Sequence, residues 1–147
     1  MCIRDRAWVK RAGVTNVRPP CVLDVTDSRW PSDDESLAAD FAAPFDAVFC
    51  ANLLHIAPWE VCAGLMGGVK RHLSPVGRLV LYGPFLEGDV PTAQGNLDFD
   101  ASLRRQNAAW GIRAREAVER CALDAGLRLR QRLPMPANNL LLVFTHA

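Results

Sequence analysis

The stretch FDAVFCANLLHIAPWE, residues 45–60, constrains the fold more than any other part of the chain. Residues 45–51 read as a buried apolar strand. Polar Asn52 and His55 follow it, and Pro58 suits the first turn of a helix. Val61, Cys62, Leu65, Met66, Val69 and Leu73 then recur at helical spacing, although Gly67 and Gly68 weaken that helix. GRLVLYGPF (77–85) is a further apolar strand that breaks at Gly83–Pro84. Strand, helix and strand, with continuous apolar strands, is the pattern of a parallel sheet covered on both faces.

The flanking segments extend that pattern. MCIRDRAWVKRAG reads as a helix ending at Gly13, and PPCVLDV (19–25) as a buried strand. Residues 26–44 read as an acidic loop with one helical turn. After a polar segment (86–100), helices are expected over 99–110 and 115–126. LRLRQRL (127–133) alternates with period two, and LLLVFTH (140–146) is a buried strand after the PMPANN turn. The last two strands, joined by a short turn, are expected to pair antiparallel, giving a mixed sheet within one domain, 1–147.

Composition excludes several function classes. The net charge is +1, and the 17 basic residues, nearly all Arg, are scattered, so no basic face for nucleic acid emerges. The five cysteines are odd in number and form no CxxC pair. That argues against a disulfide framework or a zinc site, and for a reducing, cytoplasmic setting. No apolar run approaches the roughly 18 residues of a membrane span, and no apolar leader opens the chain.

In open α/β sheets, ligands bind beyond the carboxyl ends of the parallel strands. Three such ends carry polar or special residues: Asp24; Asn52 and His55; and Tyr82 with Gly83 and Pro84. Each has a plainer reading as well. Asp24 and Asn52 are good turn or cap residues. His55 can sit satisfied under the next helix, Trp59 can be packing, and Cys50 reads as core. No G-x-S-x-G occurs, which counts against a hydrolase using Cys50 or a serine with His55.

At VLDVTD, FDAVFCANLLHIAPWE, GRLVLYGPF and MPANNLLLVF the chain resembles the DUF938 family of small class I S-adenosylmethionine methyltransferase-like proteins, which includes methyltransferase-like protein 26. The likeness extends over nearly the whole chain, and NLDFDASLRRQNAAWGIR adds to it. It implies a Rossmann-like methyltransferase sheet, mostly parallel with a C-terminal antiparallel hairpin. The family's glycine-rich loop and ribose-binding acid find no counterpart before Asp24. The chain is therefore expected to lack the first two strands, and residues 1–6 to be foreign to the family.

The resemblance also implies roles. Asp24 and Val25 would lie beside the cofactor's adenine, and Asn52 near its reactive methyl. His55 would flank the acceptor pocket as a candidate base, with Trp59 behind it. Tyr82, Pro84 and Phe85 would form a wall, and Asn138 and Asn139 would border the acceptor side. The cofactor of the intact parent would be S-adenosylmethionine, with no metal. The acceptor, small molecule or protein, is left open, as is a methyltransferase-like binding module without catalysis. With two of three cofactor-holding elements missing, this chain is expected to bind S-adenosylmethionine weakly or not at all.

Overall fold

The computed structural model describes residues 2–18, 20–34 and 44–147. Helix α1 (Cys2–Ala12) ends at Gly13, whose φ of +62° suits a helix terminator. Strand β1 (Phe45–Ala51) is followed by a single 3-10 turn (Leu54–Ile56) and helix α2 (Glu60–His72). Strand β2 (Leu73–Leu86) starts directly after α2. Then come α3 (Gln94–Gln106), the two-residue β3 (Arg113–Ala114) and α4 (Arg115–Asp124). Strands β4 (Leu127–Met135) and β5 (Asn139–His146) close the chain.

The sheet order is β1-β2-β5-β4. As expected, β1 and β2 run parallel and β4 and β5 antiparallel. Strand β5 also runs antiparallel to β2, inserted between β2 and β4, and β3 adds two parallel residues to β2. The core lies where α2 and α4 cover the sheet. Cys62, Leu65, Met66 and Val69 line one face of α2, and Val118 and Ala122 one face of α4. They meet Leu79, Leu81, Leu127, Leu142 and Phe144, all essentially sealed from solvent. Burial of this kind contributes about 25 cal/mol per Å² of apolar surface.

Four expectations are corrected. Residues 20–25 form no strand; Pro19, the first residue of that expected strand, lies outside the described residues. The segment instead runs as a turn, with Asp27 N–H donating to the Asp24 carbonyl at 3.1 Å. Strand β1 is not buried. It is an edge with no partner on its outer side among the described residues, and Phe49 is 65% exposed. Strand β2 does not break at Gly83–Pro84, because both pair with β5, opposite Leu140 and Asn139. Helix α3 begins at Gln94 and stops at Gln106, earlier than the expected 99–110; Trp110 N–H donates to the Asn107 carbonyl in the turn beyond.

Two of the three glycines of α2 are packing positions. A Cβ on Gly64 would stand 2.6 Å from the Val25 carbonyl, and one on Gly68 would strike the Trp30 ring. The lost helix propensity, about 1 kcal/mol per glycine, is the condition for seating the 25–30 segment on α2. There Trp30 stacks on His72 with ring centroids 5.2 Å apart. His72 Nε2 lies 2.8 Å from Asp33 Oδ1 and Nδ1 lies 2.7 Å from the Gly68 carbonyl.

Candidate active site

Beyond the carboxyl ends of β1 and β2, Asn52 turns the chain with φ +56°. Asparagine tolerates this left-handed region better than most residues, and outliers of this sort gather at ligand sites. Its N–H donates to the Tyr82 carbonyl at 2.9 Å, so the turn is tied to β2. The 3-10 turn that follows carries His55 inward. His55 is only 5% exposed, yet its ring nitrogens have no hydrogen-bond partner among the described residues. Phe99 meets the ring edge-on, centroids 5.5 Å apart at 71°.

Asn52, His55, Tyr82, Pro84 and Phe85 line one narrow hollow, with Cys50, Gly83 and Arg113. A second hollow of about 410 Å³ shares Asn52, His55 and Pro84 and adds Ile56, Asn96, Phe99, Ala137 and Asn139. Its size is that of a small-molecule site. The Asn139 amide donates to the Tyr82 hydroxyl at 3.2 Å, which fixes the far wall. Asn138 serves the same wall indirectly. Its side chain and carbonyl accept from Ala93 N–H and Asn96 Nδ2, holding the start of α3 in place.

The other expected site residues fall elsewhere. Asp24 is exposed and lines a separate hollow of about 540 Å³ with Val22, Leu23, Asp27, Arg29 and Trp30. Its Oδ1 accepts from Thr26 N–H at 2.9 Å and from the Thr26 hydroxyl at 2.7 Å. The hydroxyl and then the amide bond hold its carboxyl below the usual carboxylate range. Val25 packs against the core and α2. Trp59 precedes α2 outside both hollows, with the Arg113 guanidinium 5.8 Å over its ring.

Arg113 is the residue that sequence reasoning missed. Its Nε donates to the Leu54 carbonyl at 2.9 Å, and Nη2 donates to Ala57 and Ala109 carbonyls at 2.5 and 2.7 Å. Gly111 N–H donates to the His55 carbonyl at 3.0 Å. The turn bearing His55 is thus fastened from the 109–113 segment. Burial first, and then the Arg113 charge, push the His55 ring below its ordinary pKa, so it is neutral at physiological pH. Burial raises the Cys50 thiol to about 11, which removes it as a nucleophile at neutral pH.

Among the described residues, no group of three His, Cys, Asp or Glu side chains is placed to hold a metal. None of their helices is long and apolar enough to cross a membrane. For S-adenosylmethionine the described residues fit at one end only. Asp24 keeps Oδ2 open beside its hollow, which Asp27 and Asp34 also line, and no glycine-rich turn stands beside it among the described residues.

The family model described as "Protein of unknown function (DUF938)" matches residues 2–146, and the chain belongs to that family. Among solved structures, the mitomycin 7-O-methyltransferase MmcR matches 99% of the chain with a TM-score of 0.80 and 15% identity. CalO1, a methyltransferase in calicheamicin biosynthesis seen with SAH bound, matches 69% with a TM-score of 0.60 and 18% identity. LepI in complex with SAM matches 71% with a TM-score of 0.61 and 16% identity. The fold is therefore the Rossmann-like one of these proteins. The chain spans 39%, 30% and 27% of their respective lengths.

Proposed function

We propose that this chain carries the acceptor side of an S-adenosylmethionine-dependent methyltransferase, with His55 as general base and Asn52 holding the acceptor beside the methyl. The carrying observation is His55: buried, neutral, unpartnered, and facing a hollow at the carboxyl end of a parallel strand. The cofactor would supply an electrophilic methyl on a sulfonium. The Asp24 Oδ2 and the Val25 N–H would receive its adenine.

In this reading the Asn52 amide orients the acceptor's hydroxyl. The neutral His55 ring takes the hydroxyl proton, and Phe99, Pro84 and Ile56 flank the acceptor with apolar surface. Tyr82, Phe85 and Asn139 support the wall, and Trp59 and Asn138 act by packing and tethering. The setting is cytoplasmic, supported by the free thiols of Cys21, Cys50, Cys62 and Cys121. The partner is a methyl acceptor rather than nucleic acid, since no basic face accompanies the site. A second reading, a binding module without catalysis, draws support from the engaged Oδ1 of Asp24.

The test is transfer of labelled methyl groups by a full-length family member. His55→Gln should lower turnover about 100-fold or more while moving the thermal midpoint little. Parallel losses of turnover and stability would favour a structural role.

A further inference from the structure

We propose that the hollow of about 410 Å³ accepts an uncharged, hydroxyl-bearing ring compound and turns away carboxylates and ammonium ions. As the identity of the methyl acceptor, this rests on the methyltransferase reading; as a statement of binding preference, it does not.

The lining contains no Asp, Glu, Lys or Arg. Arg113, which lines the adjoining narrow hollow, spends Nε and Nη2 on the carbonyls of Leu54, Ala57 and Ala109 and lies over Trp59. Asp100, on the inner part of α3, is taken by Arg104 and by Ile112 N–H. An ionised ligand would therefore give up part of its water against a lining that carries no charged side chain.

What the lining does offer is neutral hydrogen bonding. His55 is nine-tenths buried, has no partner, and faces the space. The Asn52 side chain is also unpartnered among the described residues. Asn96 and Asn139 spend their amide nitrogens on Asn138, Pro136 and Tyr82, leaving their carbonyl oxygens for a ligand's hydroxyl donors. Phe99 and Pro84 supply flat apolar walls for a ring.

Methylation of such a ligand would balance simply. The hydroxyl oxygen forms the new C–O bond as the methyl–sulfur bond breaks. Sulfur keeps the electron pair, and the hydroxyl proton passes to His55 and then to water.

The 147-residue chain, titrated by NMR at neutral pH with 2-naphthol, 2-naphthoate and 2-naphthylmethylammonium, decides the matter. Naphthol should bind about tenfold or more tighter than either ion. Its shifts should centre on Asn52, His55 and Phe99, and Phe99→Ala should weaken it. Equal or tighter binding of an ion, shifts elsewhere, or no binding of any probe would overturn the proposal. Methyl transfer is read separately. Naphthol binding at this site in a protein that never uses S-adenosylmethionine would sink the methyltransferase reading alone.

Discussion

The Arg113 guanidinium donates through Nε to the Leu54 carbonyl at 2.9 Å, joining positions 59 residues apart in sequence. This contact, with those to Ala57 and Ala109, fixes the turn that buries His55. Arg113→Gln should therefore loosen the turn and let the His55 pKa rise. The rise is partial, because burial is the larger cause. Arg113→Lys keeps the charge but loses the planar fork, so it should preserve more of the His55 shift than of the stability. Stability should fall by about 1–3 kcal/mol in Arg113→Gln. Proton NMR titration of His55 with thermal melts reads both; an unmoved His55 pKa would remove Arg113 from the account.

The lowered His55 pKa has a definite sign for stability. In the unfolded chain the ring titrates near 6.5, and in the folded protein below that. The contribution is full above about pH 6.5 and is lost as pH falls through the folded value. Subtracting the pH profile of His55→Gln from that of the wild type isolates this term. The difference should shrink on acidification below about pH 6.5; a constant difference would mean the ring is not held neutral.

Gly83 faces the site from β2 with φ +158°, where side chains are strained. A Cβ there would lie 3.3 Å from Asn52 Oδ1 and 3.7 Å from His55 Nδ1. Gly83→Ala should cost about 1–3 kcal/mol and shift the His55 ring resonances. A melt and spectrum like those of the wild type would show that the strand tolerates the methyl.

Strand β1 and strand β5 predict opposite responses. Phe144→Ala should cost about 3–5 kcal/mol, because the ring is fully buried between sheet and helices. Phe49→Lys, on the exposed edge strand, should change stability by about 0.5 kcal/mol or less. Chemical denaturation compares them, and a large loss at Phe49 would mean that its face is covered in solution.

Much of this was legible in the sequence because periodicity and strand ends are local signals. The run 45–51 and the helix after Pro58 sit where the apolar spacing put them, and the strand ends brought Asn52, His55 and Tyr82 to one hollow. The run CVLDV has the composition of a strand, but residues 20–25 pair with no strand among the described residues, and their backbone turns at Asp24 instead. Phe99 and Asn96 carry no site signal in the sequence, because α3 is set beside the hollow by Asn138, which anchors its start from 45 residues away. Arg113 was unreadable for a similar reason: the carbonyls of Leu54 and Ala57 are distant in sequence, and carbonyls leave no mark in the residue pattern.

The proposed function puts a sulfonium cofactor beside Asp24 and Val25 and its acceptor beside Asn52 and His55. Titration of isotopically labelled chain with S-adenosylhomocysteine tests it directly. The account predicts weak binding, in the range of about 100 μM to millimolar, with amide shifts at Val25 and Thr26 and at Asn52 to His55. Micromolar binding would contradict the one-ended fit of the cofactor. Shifts confined to other surfaces would contradict the site itself.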